Sequence, residues 1–311
     1  MNANRPTDFK WLSVQRQVRD RDRRAFTLTE LLVVLVTLAI LTTLLLPALA
    51  SSTQPGSAKS FQCLDNLRQM AAAWTLYAED NHDRLVNNWD TISIQNDLAS
   101  SPPAYRSWVC DVMTWNITQP AADQCFKLDG IIKAPFYNYV NNVSVYKCPA
   151  DNYLSAVQRL AGYTARPRSY SMNCFFGAST PTWTSPGNEF FPNYRQFLKA
   201  TTIPNPLNLY VFLEEHPDSI NDGYFKDGAN PDITSAADWP GGVWGDVPGS
   251  NHAGAAGFSF ADGHSEMHKW KSTVCTILPV TFGPLPHRSL LANPAGMADA
   301  SWLASRSSVL R

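Results

Sequence analysis

The sequence predicts an α+β fold: a long N-terminal hydrophobic helix, broken near Pro55-Gly56, packed on a C-terminal antiparallel β-sheet head. Three observations carry this reading. Residues 31–50 form an apolar stretch without a single charge. Phe61, Leu64, Leu67, Ala71, Trp74 and Ala78 recur at three- and four-residue steps, which puts one apolar stripe on a helix facing a core. Finally, "RSYSMNCFFG" (168–177), "NLYVFLEE" (208–215) and "AAGFSFADGHSEMHKW" (255–270) read as strands with polar breaks. No long helix intervenes between them, so an antiparallel sheet is expected.

Taken in order, residues 1–25 are a hydrophilic leader with seven Lys/Arg against three Asp, while residues 26–311 carry 18 Lys/Arg against 23 Asp/Glu. The formal net charge of −1 lacks the basic excess of a nucleic-acid binder, and no nucleic-acid partner is expected. Positive charge ahead of an apolar segment predicts a cytoplasmic N-terminus and an exported, periplasmic head. The twenty uncharged residues from Leu31 to Ala50 match the ~20 that cross a bilayer core. The expectation is therefore a single-pass protein of the inner membrane, with residues 26–50 as its transmembrane helix. A cleaved signal peptide ending at "ALASS" (48–52) is the competing reading. Glu30 sits on the rim of this helix, where a carboxylate calls for a partner. "SSTQPGSAKS" (51–60) reads as a linker, and residues 61–292 as the head. Within it "VSVYKCPAD" (143–151) alternates before turning at Pro149. Residues 293–311 form an Ala/Ser-rich tail, either loosely held or a short terminal helix.

All six cysteines (Cys63, Cys110, Cys125, Cys148, Cys174, Cys275) follow the apolar segment. An exported domain with an even count is compatible with three disulfides, in any of 15 pairings. Asp262-Gly263, after the alternating "GFSFA", predicts a tight hairpin turn with glycine at positive φ. His252 either donates to Asp262 across that turn or joins a zinc site with Asp262, His264 and His268, four groups in seventeen residues. Glu214, Glu215 and His216 lie at another strand end. Asp218, Asn221, Asp222, Asp227 and Asp232 offer oxygen ligands for calcium, or else an Asx-rich solvated turn. No cofactor is required by these patterns, and calcium and zinc remain the open alternatives. Trp89, Trp108, Trp115, Trp183, Trp239 and Trp244 make either a stacking face for sugars or core anchors. No GxSxG, P-loop or HExxH motif is present, so an enzyme is not expected.

"RRAFTLTELLVVLVTLAILTTLLLPAL" resembles the N-terminus of type IV prepilins and type II secretion pseudopilins. The resemblance implies cleavage between Ala25 and Phe26 by a prepilin peptidase, followed by N-methylation of Phe26 by the same enzyme. It makes Phe26 the first mature residue, Glu30 the fifth and Pro47 the twenty-second, where pilin helices bend. Ala25 stands where the family usually has Gly. The partners implied are that peptidase/methyltransferase, the inner membrane and other pilin or pseudopilin subunits, with Glu30 meeting a neighbour's Phe26 amine. "CLDNLRQMAAAWTLYAEDNHDRL", "YKCPAD", "RSYSMN" and "NHAGAAGFSFADGHSEMHKW" are similar to a processing-associated module with a His-x9-Asp-Gly signature, here His252, Asp262 and Gly263. Cys63 and Cys148 fall in two of these segments and are expected to pair as a disulfide. The expected function is a pilin-like assembly subunit. The alternatives are a non-polymerising single-span protein whose head binds polysaccharide or a partner, and a metal-dependent hydrolase.

Overall fold

The structure, a computed structural model, describes residues 28–38, 55–117, 127–233, 239–285 and 289–311. The chain divides into two units, 1–51 and 52–311. In the first, residues 28–38 are helical and expose every side chain. Ala25, Phe26 and Pro47 lie outside the described residues, as does Cys125.

The second unit opens with α1 (Pro55–Asp80). The Pro55-Gly56 pair, expected to break a helix, begins one instead, since proline at the first turn lacks only an N–H that would have no partner there. Residues 55–60 thus belong to α1, and the linker expected over 51–60 does not extend that far. Its buried stripe starts at Cys63 and runs through Leu67, Met70, Ala71 and Trp74 to Ala78. Phe61, assigned to the stripe from its spacing, is exposed. The short helices α2 (Thr91–Ala99), α3 (Asp129–Ile132), α4 (Tyr137–Val140) and α5 (Ala156–Leu160) lead into the sheet. "VSVY" at 143–146 is a turn of 3-10 helix capped by Asn142, which accepts from Ser144 N at 3.0 Å, so its alternation does not make a strand.

The sheet has the order β3-β1-β2-β4-β5, with β1 (Tyr170–Asn173), β2 (Tyr210–Glu214), β3 (Tyr224–Phe225), β4 (Ala255–Phe260) and β5 (Ser265–Lys269). It is mixed, which corrects the antiparallel expectation. After β2 the chain doubles back and lays β3 on the far edge of β1, parallel to it. Two residues carry no readable alternation, so β3 left no signal in the sequence. The β4–β5 pair is the hairpin around Asp262-Gly263, with Gly263 at φ 94°.

Side chains alternate across the sheet and feed two cores. The α1 stripe packs with Met172, Phe212 and Trp108 on one side, while Phe258, Leu213 and Trp270 pack with α6 (Pro294–Ala304) on the other. Within the tail expected over 293–311, Pro294–Ala304 form a helix with Ala300, Leu303 and Ala304 in the core. A helix on each face explains why β4 is buried along its whole length.

Among the described residues no helix is long and apolar enough to cross a membrane. This overturns three expectations together: the long hydrophobic helix packed on the sheet, the transmembrane segment and the single-pass inner-membrane placement. The long helix that does cover the sheet, α1, is amphipathic, with Asp65, Arg68 and Gln69 on its solvent side.

Candidate metal centre

Four chain segments bring Cys63, Cys148, Glu214 and His252 together, with one ligand atom from each lying within 4.8 Å of all the others. Cys63 heads the buried stripe of α1. Glu214 ends β2 and, by strand alternation, points opposite Leu213 toward α1. Cys148 sits in the "KCPAD" turn, which Asn66 of α1 grips through Lys147 O at 3.0 Å. A Lys147–Asp151 ion pair of 2.7 Å closes the same turn. His252 lies in the loop before β4, where Ala253 (φ 54°) and Gly254 (φ 83°) reverse the chain.

Within the cluster, Cys148 Sγ lies 3.3 Å from His252 Nε2, His252 Nε2 lies 3.4 Å from Glu214 Oε2, and Cys63 Sγ lies 3.9 Å from Glu214 Oε2. Supporting bonds fix each group. Asn251 Nδ2 donates to Glu214 Oε1 at 2.9 Å, and His252 Nδ1 lies 3.0 Å from Ser60 Oγ. The Ala150 N–H donates to Cys148 Sγ at 3.3 Å, and the Tyr170 hydroxyl donates to Cys63 Sγ at 3.3 Å. The cluster is closed to solvent: Cys63, Cys148 and Glu214 are fully buried and the His252 imidazole is 2 % exposed.

The electrostatics follow from that enclosure. A hydrogen bond from Cys148 holds the Cys63 thiol below its ordinary range despite burial, whereas burial drives the Cys148 thiol far up. Burial pulls His252 down, but its bonds with Cys63 and the Glu214 carboxylate outweigh that and hold it above its ordinary value. Burial also raises the Tyr170 hydroxyl. Two thiols, a carboxylate and an imidazole on one point can hold a metal ion. They do not form a nucleophile–base–acid relay, because Cys148 and Glu214 both face Nε2 of His252 and neither orients its Nδ1.

The residues singled out in the sequence are rearranged accordingly. Cys63 and Cys148 do meet, but as free thiols, which corrects the expected disulfide. Each sulfur also has further partners in the cluster, Cys63 with Glu214 and Tyr170, and Cys148 with His252 and the Ala150 N–H. His252 does not reach Asp262, because β4 separates them and six strand residues span roughly 20 Å. Asp262 instead contacts His264 Nδ1 at 2.6 Å on the exposed hairpin, where His264 stacks on Phe260 with ring centroids 4.3 Å apart. The calcium candidates do not converge either. Asp218 accepts from Trp115 Nε1 at 2.8 Å and Thr281 N at 2.6 Å. Asp222 accepts from the Thr91 hydroxyl and from Tyr224 N. Of the tryptophans, Trp89, Trp108, Trp239 and Trp244 are buried core anchors and form no sugar-stacking face. Pairing Glu214 with the two cysteines was not legible in the sequence. The signal that pointed toward it was a glutamate at a strand end, where alternation turns it inward.

No protein-family model, no curated protein and no solved structure matches the chain.

Proposed function

We propose that the chain is a pilin-like assembly subunit, cut between Ala25 and Phe26, methylated on Phe26, and built into a pilus or type II secretion pseudopilus. The helix at residues 28–38 carries this reading. Its leucines and valines are exposed on every side, from 46 % at Val34 to 81 % at Leu28. A helix that exposes so many leucines and valines needs a cover. The sequence order Phe26…Glu30, with Glu30 in the first turn of this helix, supports the equivalent segment of other copies as that cover, with Glu30 against a neighbour's Phe26 amine setting the register. On this reading the protein is a building element, and its partners are the prepilin peptidase/methyltransferase and other subunits.

The test is the mass of the N-terminal peptide from chain produced alongside a prepilin peptidase. A methylated Phe26 is the expected start, and Glu30→Ala is expected to leave that start unchanged while abolishing cross-linkable multimers. A mature start near Ser51 would overturn the proposal. So would multimers that Glu30→Ala leaves intact.

A further inference from the structure

We propose that Cys63, Cys148, Glu214 and His252 are the four protein ligands of a structural zinc ion. The site lies wholly within residues 52–311 and does not depend on the assembly reading.

Geometry is the first argument. Zinc–sulfur bonds of about 2.3 Å and zinc–nitrogen or –oxygen bonds of about 2.0–2.2 Å, at tetrahedral angles, set donor–donor edges of roughly 3.3–3.8 Å. The His252–Glu214 approach of 3.4 Å lies on its nitrogen–oxygen edge, and the sulfur approaches of 3.3 and 3.9 Å come within about 0.3 Å of the roughly 3.6 Å expected for sulfur–nitrogen and sulfur–oxygen edges. The donor set is the second argument. Two thiolates and an imidazole suit zinc, while calcium and magnesium take oxygen ligands. The outer contacts are the third. Ser60 fixes the far ring nitrogen of His252, Asn251 fixes the free oxygen of Glu214, and the Ala150 N–H points at the Cys148 sulfur. Each is the kind of second contact that orients a metal ligand. The remaining argument is enclosure: a buried carboxylate beside two thiols is costly without a cation, and four protein ligands leave no open position for substrate. The ion therefore staples α1, the "KCPAD" turn, β2 and the loop before β4, and does no chemistry. On binding, two Zn–S bonds form and both thiol protons leave to solvent.

Elemental analysis of the full chain, purified with zinc present and then dialysed, tests this. About one zinc per chain is expected. Substituting cobalt(II) should give the visible bands of a tetrahedral ion together with thiolate-to-cobalt charge transfer. Cys63→Ser and His252→Ala should lose the metal, whereas His264→Ala, on the exposed hairpin, should keep it. If the ligand variants do not fold, Asn251→Ala touches only the outer contact and should weaken zinc affinity about ten- to a hundredfold, read by competition with a chromophoric chelator. Absence of stoichiometric zinc would overturn the proposal, as would octahedral cobalt bands or a Cys63–Cys148 disulfide in peptides mapped without reductant. Loss of zinc from His264→Ala, or full affinity in Asn251→Ala, would do the same.

Discussion

Gly257 shows how tightly one residue ties the site to the fold. It lies in β4 beneath α1, where a Cβ would meet Leu67 Cδ1 at 2.6 Å and Cys63 Sγ at 3.0 Å. The strand can lie this close to the helix only without a side chain, and the same backbone N–H faces Glu214 Oε2 at 3.4 Å. Gly257→Ala is therefore expected to push α1 off the sheet. Overpacking of this kind destabilises by about 1–3 kcal/mol. Because Cys63 moves with the helix, zinc affinity should fall as well. Urea unfolding of wild type and variant checks the first effect and chelator competition the second. An unchanged urea midpoint would show that the helix–strand spacing is not limiting.

At the scale of elements, the sheet is held at its β3 edge by carboxylates. The Lys226 N–H donates to Asp246 Oδ2 at 2.6 Å, and the Gly245 N–H donates to Asp227 Oδ1 at 3.0 Å, so the segment after Trp244 docks along the strand end. Burial pushes Asp246 up to about 7, with the Asp222 carboxylate adding to it. The folded state thus holds this proton more tightly than the unfolded chain does. Its stabilisation is complete below the ordinary carboxylate range near 4 and disappears as pH rises through about 7. Asp246→Asn keeps the acceptor without the charge. It should stabilise more at pH about 7.5 than at pH about 5.5, by at most roughly 1 kcal/mol per pH unit of difference; urea unfolding at both values measures it. Elements of this kind mark the limit of sequence reading. The hairpin at Asp262-Gly263 and the strands around Tyr170 and Phe212 were legible because alternation and turn chemistry are local. A two-residue parallel edge strand is defined only by its neighbour, and "VSVY" alternates without any neighbour to pair with. The cluster had the same fate. His252 and the two cysteines stood out singly, but their meeting point depends on how α1 crosses β4, which no local spacing records.

For the whole molecule, the two units divide the work. Every buried core residue among those described lies from Cys63 onward, whereas the exposed apolar side chains from Leu28 to Leu38 belong to the first unit. Stability and association are therefore expected to separate physically. Removing residues 1–51 leaves α1 whole from Pro55 and every described buried core residue in the chain. Residues 52–311 alone should unfold cooperatively and run as a monomer by light scattering, while the full chain multimerises. The proposed zinc ion would act on the other axis. A ligand that binds only the folded state at about a thousand times its Kd adds roughly 4 kcal/mol, so a strong chelator should lower the Tm of the truncated chain by several degrees or more. It should not change that chain's monomeric state. If the truncated chain multimerises as the full one does, association does not run through the apolar helix and the assembly reading fails, with the zinc centre untouched. If it is monomeric but indifferent to the chelator, the zinc staple fails and the assembly reading stands.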